Sequence, residues 1–508
     1  MEFNSSNPEE LSPLNVTLEW VLQATGGSLA WPIKQAHIFD KLSTDSRAIS
    51  AQNLFLALKG ERFDGHNFIE AVFAQGASGV IASAQTFAHQ KNQQVYLENK
   101  FSHQALILVP DTLKALQHLA RAWRKEFSTP FIAVTGSCGK TSVKELLARL
   151  LSEIGPTLAS QANFNNEIGA PQNILRLRSH HKFGVAELGA NHIGEIADTV
   201  KCVMPHVSII TTIRPAHLEG FGSVAGVITA KSEIMSELQD GGVMVLNRDD
   251  EAFPQLKNNW QTYHQKITAQ SKYGLRLITF GQHTQADVRL LSVQSGMYQT
   301  HIEIEVPTVD ALLNPALNAT PTKKLIYRWS WELLGNHHAL NACAALAALL
   351  GLNLNIEQFV AHLSQHRPVK GRMYPHKVSE NLVVVDDTYN ANPGSVEEAM
   401  LWLSSVDANT LFILGDMAEL GEDSDKWHAQ VGQLAKQKGI KALWSCGTLS
   451  AVTSEAFGPN AKHFIDKKSL IEALQNSHWL QHSPNAHVIV VKGSRSAGME
   501  MVVNALIR

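Results

Sequence analysis

At 508 residues the chain is too long for one hydrophobic core, so roughly two to four domains are expected. With 44% hydrophobic and 18% charged residues and a net charge of −3, it lacks the basic footprint of a nucleic-acid binder. No apolar run approaches the roughly 18 residues that cross a membrane. Residues 1–13 lack a signal peptide's basic start, and Cys138, Cys202, Cys343 and Cys446 lack metal-like spacing, so a cytoplasmic protein with reduced thiols is expected.

Leu54–Leu58 and Gly79–Ala82 read as strands of a small α/β unit with a helix near 68–75, and a helix over 111–127 leads out of it. Apolar runs at 131–134, 183–188, 207–213, 243–246 and 277–280 alternate with helical stretches, the pattern of a parallel sheet with helices on both faces. Residues 287–331 read as less regular strands, and the Ala- and Leu-rich run 339–350 as a core helix. A second α/β series begins near Lys370, with strands expected at 382–385, 410–414, 442–445 and 488–491. It has no Gly-x-Gly-x-x-Gly after its first strand, so a substrate is a better ligand for it than a nicotinamide cofactor.

The most specific chemistry lies in Thr135-Gly-Ser-Cys-Gly-Lys-Thr-Ser-Val-Lys-Glu145, between a buried strand and a helix. Strand, glycine turn and helix N-terminus make a phosphate cradle. The backbone N–H groups and helix dipole face an anion, Lys140 adds a charge, and the Thr141 hydroxyl can hold Mg²⁺. The loop is compact, with Val134 where the common pattern has its first Gly. Glu187 closes an apolar strand, where a carboxylate can reach Mg²⁺ or simply face solvent. By spacing alone His217 reads as structural and Lys231 as an ordinary helix lysine. Asn163–Pro171 reads as a polar ligand loop or a plain turn, and Gly335–Asn341 as a base contact or a helix cap. Around the second series, Gly371-Arg372, Asp386-Asp-Thr-Tyr-Asn-Ala-Asn-Pro393, Leu414-Gly-Asp-Met-Ala-Glu-Leu-Gly-Glu422 and Lys492-Gly-Ser-Arg495 place polar loops at strand ends, which suggests one lined crevice. Ser43-Thr-Asp-Ser-Arg47 offers donors for a second phosphate-bearing ligand, although Arg47 reads equally as a surface ion-pair partner.

In this order the segments resemble the Mur ligases of peptidoglycan precursor synthesis, over essentially the whole chain after residue 40. The resemblance implies an α/β protein of three domains: a small N-terminal α/β UDP-binding domain (1–108), a central P-loop-type parallel-sheet ATPase domain (109–367) and a C-terminal Rossmann-like α/β domain (368–508) that binds a dipeptide and closes on ATP. It implies ATP-dependent joining of D-alanyl-D-alanine to UDP-N-acetylmuramoyl-tripeptide by a monomer that uses about two Mg²⁺ ions. Lys140, Glu187, His217, Lys231 and Arg372 would be catalytic. Gly136, Ser137, Cys138, Gly139, Lys140, Thr141, Ser142, Asn341, Arg372 and Asp387 would hold the nucleotide. Thr141, Glu187, His217 and a carbamylated Lys231 would serve the metal. Ser46, Arg47, Asn165, Asn166, Tyr389, Asn390 and Asn392 would meet the other substrates. The departures from the family pattern are few: Thr212-Ile-Arg214 replaces Asn-Ile-Gly, His338 replaces an Asn, and Cys138 varies a tolerant position of the phosphate loop, where a helix N-terminus is expected to lower its pKa and make it reactive. A folylpolyglutamate-type synthase, which lacks the UDP-binding domain, and a nucleotide-binding scaffold without catalysis are the competing readings.

Overall fold

The computed structural model describes residues 13–60, 63–88, 91–216, 218–268, 273–308, 324–480 and 485–507. Its packing divides the chain into two compact units, one made of Met1–Pro130, Pro156–Ala186 and Asp198–Met204, the other of Phe131–Gly155, Glu187–Ala197 and Pro205–Arg508.

In the first unit a sheet runs in the order Ser28–Leu29, Ala105–Val109, Gly79–Ser83, Asn53–Leu56, Lys41–Ser43, parallel except for the first pair. Phe55, Val80 and Leu106 face Trp31, Phe73 and Leu97 in its core. The helix Thr112–Lys125 is capped by Asp111, whose carboxylate accepts from Leu113 N at 2.8 Å and Lys114 N at 3.1 Å. Val109 ends the strand before it, and sequence reasoning had not picked out that strand.

The second unit holds two sheets. One runs Lys324–Trp331, Thr300–Pro307, Val288–Ser295, Arg276–Gly281, Val243–Asn247, Val207–Ile210, Phe131–Thr135. From Phe131–Thr135 to Val288–Ser295 its pairs are parallel; the last two are antiparallel. The parallel pairs lie where the parallel sheet was expected, and the antiparallel ones fall in the segment 287–331 that read as less regular. Val288–Ser295 and Thr300–Pro307 are joined by the short turn 296–299, and Thr300–Pro307 alternates buried with more exposed positions, which suits antiparallel strands with one wet face. The helix Asn336–Gly351 is apolar nearly all round because the sheet covers one side and the helix Lys140–Ser152 the other.

The other sheet runs Tyr374–Ser379, Leu382–Asp387, His487–Lys492, Asn409–Gly415, Ala442–Cys446, Ala461–Phe464. Only its first pair is antiparallel. Successive residues feed opposite cores, as the period of two requires: Val383, Val385, Phe412 and Leu414 pack on one face, Leu382, Val384, Leu411 and Ile413 on the other. Both faces are apolar and helix-covered, so these strands read as continuous hydrophobic runs, and the four expected ones lie where the sequence placed them. The edge strands Tyr374–Ser379 and Ala461–Phe464 are mostly polar and half-exposed, and gave no such run.

Candidate active site

The phosphate loop is built by its glycines. Gly136 has φ +145° and lies against Thr211, so a Cβ there would sit 2.0 Å from the Thr211 hydroxyl. Gly139 has φ +83°, and a Cβ there would sit 2.6 Å from Asn341 Oδ1. Gly139 is also the N-cap of the helix Lys140–Ser152 and supplies no side-chain cap, which leaves the first-turn N–H groups facing the loop. The turn is pinned from the neighbouring strand end: Ser137 N donates to Thr212 O at 2.8 Å, and the Thr211 hydroxyl donates to Cys138 O. For this reason Val207–Ile210 ends earlier than the expected 213; residues 211–214 wrap the phosphate loop instead of extending the sheet.

Lys140 Nζ donates to Gly136 O at 2.7 Å. Burial lowers its pKa, with Arg372 adding to that and Glu187 and Cys138 opposing it. Glu187 is buried at the end of Phe183–Glu187. The next residue is stitched to the phosphate strand, Leu188 N to Val134 O at 2.8 Å and Thr135 Oγ1 to Leu188 O at 2.7 Å. Lys231 lies near the end of the helix Val224–Ser232 and is only 2% exposed, with Nζ 5.3 Å from the centre of the Phe221 ring. Burial first, then repulsion from Lys140, pulls its pKa to about 7, with Glu195 and Glu233 opposing. The solvated helix lysine that spacing favoured is therefore replaced by a buried, readily neutral amine. His217 lies outside the described residues.

Residues flanking the strands of the C-terminal sheet meet this loop. Arg372 donates through Nη2 to Thr141 Oγ1 at 2.9 Å, and its guanidinium lies 4.2 Å from the centre of the Tyr389 ring. Asp387 is buried beside Lys492, Oδ2 to Nζ 2.6 Å, and accepts from Met373 N at 3.2 Å. Burial raises its pKa against the pull of Lys492. Lys492 also donates to Asn390 O at 3.0 Å, so the pair ties both ends of the loop between Asp387 and Asn390. Asn392 caps the helix Pro393–Ser405, its Oδ1 accepting from Ser395 N at 2.9 Å and lying 3.5 Å from Cys138 Sγ.

The expectation for Cys138 is corrected. Burial raises its thiol pKa, and that outweighs the lowering effect of Lys140. His338 is buried on the helix that carries Asn341; neither ring nitrogen has a hydrogen-bond partner among the described residues, and burial holds its pKa well below the usual imidazole value. Spacing also failed to point to Asp250. It is buried and accepts from Thr212 Oγ1 at 2.8 Å and Ile213 N at 2.7 Å, fixing the segment that pins the phosphate loop. The only signal was its place just after the strand Val243–Asn247.

In the first unit Arg47 is 88% exposed and forked onto Asp45, Nε to Oδ1 2.9 Å and Nη2 to Oδ2 2.8 Å. Half-buried Ser46 stands beside it. Asn166 Oδ1 accepts from Gly169 N at 2.8 Å and so holds its own turn, while Asn165 N donates to Asn163 O at 2.8 Å.

Comparison with known proteins identifies relatives along the chain. The family model described as Mur ligase middle domain matches residues 134–349, that described as Mur ligase, glutamate ligase domain matches 371–495, and that described as Mur ligase family, catalytic domain matches 39–124. The UDP-N-acetylmuramoyl-tripeptide–D-alanyl-D-alanine ligase of Escherichia coli is 36% identical over 498 residues, 97% of this chain and 98% of that protein. A crystal structure of MurF from Acinetobacter baumannii matches with a TM-score of 0.80 and 30% identity over 96% of this chain and 98% of that one. The MurF ligase of Thermotoga maritima in complex with ADP shares the fold at a TM-score of 0.76 and 24% identity, over 92% and 97% of the two chains.

Proposed function

The chain belongs to the Mur ligase family, and from that premise we propose that it uses ATP to join D-alanyl-D-alanine to UDP-N-acetylmuramoyl-tripeptide through an acyl phosphate, in the cytoplasm and as a monomer. The observation that carries the reading is the convergence of Lys140, Thr141 and Arg372 on one glycine-built loop. Full-length similarity to ligases of this name supports it, as does a Ser43–Arg47 segment that a folylpolyglutamate-type enzyme would not need.

A carboxylate is a poor acyl donor because oxide cannot leave. One oxygen of the tripeptide's terminal carboxylate attacks the γ-phosphorus of ATP, the bond to the β-phosphate oxygen breaks, and ADP departs. The amine of D-alanyl-D-alanine then attacks the acyl carbon, phosphate leaves with the carbon–oxygen bond pair, and the amine gives up a proton. We assign Gly136–Ser142 to the phosphates, with the Lys140 ammonium and the Arg372 guanidinium balancing charge on the phosphoryl group in transit. Asn341 and Asp387 are assigned to the rest of the nucleotide, Ser46 and Arg47 to the UDP moiety, Asn165 and Asn166 to the peptide, and Tyr389, Asn390 and Asn392 to the acceptor side. The three domains of the family, 1–108, 109–367 and 368–508, divide these tasks.

Oxygen donors of the kind Mg²⁺ prefers are available in the Thr141 hydroxyl and the buried Glu187 carboxylate. Lys231 fits a carbamate because its amine is neutral enough near pH 7 to add CO₂, releasing a proton and leaving an anionic oxygen ligand. His217 is the remaining candidate ligand. When bound, Mg²⁺ supplies positive charge to the phosphoryl oxygens.

The test is phosphate release from ATP by purified protein given UDP-N-acetylmuramoyl-tripeptide and D-alanyl-D-alanine, with each omitted in turn. Release that needs all three is expected. Release without D-alanyl-D-alanine would name another acceptor, and none under any mixture would overturn the reading.

A further inference from the structure

Arg214 and Gly394 form a matched pair across the phosphate loop. Arg214 is fixed at its backbone, since its N–H donates to Ser137 Oγ at 2.9 Å and the Ser137 hydroxyl donates to Arg214 O at 2.9 Å. Its Nη1 donates to Ile213 O at 2.8 Å and lies 3.7 Å from Asp250 Oδ2, so the guanidinium is turned back onto its own segment. The methylene stem then faces the first turn of the helix Pro393–Ser405. A Cβ on Gly394 would lie 2.7 Å from Arg214 Cγ, 2.9 Å from Cβ and 3.1 Å from Cδ. The contact reaches Arg214 Cβ, which no rotamer change can move away. Relief would need one backbone to shift against the other. Arg214 also lowers the pKa of Glu398, one turn further along that helix, against the raising effect of burial.

We propose that Arg214 is a positioning residue: its stem seats the helix Pro393–Ser405 on the phosphate loop, and Gly394 is glycine to receive it. The seat sets where Tyr389, Asn390 and Asn392 stand relative to Lys140. Arg214 touches no reacting atom in this scheme. Its effect passes through the helix, and only the consequence for the acceptor rests on the proposed ligase reaction.

Cys138 makes the seat measurable without turnover. Its Sγ lies 3.5 Å from Asn392 Oδ1, and of the four cysteines it alone is half-buried, the others being buried. Lifting the helix should bare this thiol. Gly394→Ala is expected to raise the rate of thiol modification at Cys138 about tenfold, the scale of a modest overpacking cost. Adding Arg214→Gly to Gly394→Ala should return the rate to about that of the parent. Adding Arg214→Lys should not, because lysine keeps the stem. Circular dichroism and thermal melting of each variant establish that it is folded. In the ligase assay Gly394→Ala should raise the KM for D-alanyl-D-alanine more than that for ATP, again reversed by Arg214→Gly. Unchanged labelling in Gly394→Ala, or raised labelling that Arg214→Gly fails to relieve, overturns the pairing. Restored labelling with no dependence on D-alanyl-D-alanine would uphold the seat and overturn the acceptor reading instead.

Discussion

The loops at Ser43–Arg47 and at Gly136–Thr141 both stand at a strand end, and both are short and polar with one cationic side chain, yet the fold treats them in opposite ways. Arg47 stands in solvent, and its one forked partner, Asp45, is held at a pKa of about 2 by it. Around Gly136–Thr141 Lys140 and Arg372 are half-buried and the Asp387–Lys492 pair is buried, and these charges meet defined groups: Lys140 meets Gly136 O, Arg372 meets Thr141 and Tyr389, and Asp387 meets Lys492. A charge in water costs little to leave loosely paired, whereas a buried one must be paired or neutralised. On the proposed reading the exposed loop would exchange Asp45 for a ligand phosphate without disturbing the fold. Change around Gly136–Thr141 should reach both chemistry and stability.

The contrast can be broken at several points. Lys140→Ala should lower turnover by about 10³-fold or more with the fold intact by circular dichroism; near-normal phosphate release in that variant would remove Lys140 from the site. Lys231→Ala should be nearly inactive and regain part of its activity with a short-chain carboxylic acid that stands in for the carbamate. Full activity without any addition would refute that role. Lys492→Met leaves Asp387 buried without its cation and should destabilise the protein by about 3–5 kcal/mol in urea titration, and a loss no larger than that of a surface substitution would show the pair to be hydrated.

His366 sharpens the same contrast through pH. Burial, with Arg149 and Arg367 nearby, depresses its folded pKa to about 4. As pH falls below the ordinary value near 6.5 the unfolded chain takes up a proton that the folded chain refuses, so stability is full above about 6.5 and declines toward 4, by on the order of 2–3 kcal/mol. His337 and His338, whose pKa values burial likewise lowers, add to the decline in the same direction, so urea midpoints at pH 7 and pH 5 should show it, and His366→Gln should make it shallower by the share of one such histidine. The smallest effect belongs to the exposed loop: Arg47→Ala should leave the melting temperature unchanged while raising the KM for the UDP-linked substrate. A falling melting temperature would mean that the Asp45–Arg47 fork is structural.

Much of the chain was legible in its sequence. The buried parallel strands read as apolar runs because both faces are covered, and the phosphate loop read from its glycines, lysine and threonine because local backbone geometry demands those residues in that order. Edge strands such as Tyr374–Ser379, half in water, carried no such signal. Nor did spacing reveal that Lys231 is buried, that burial raises rather than lowers the Cys138 pKa, that Asp250 fastens residues 212–213, or that Arg214 lies along Gly394. Desolvation and close approach are set by groups far apart in the chain, so local sequence determined the elements and the cradle, and only the tertiary structure decided which polar groups lie in water and which are held out of it.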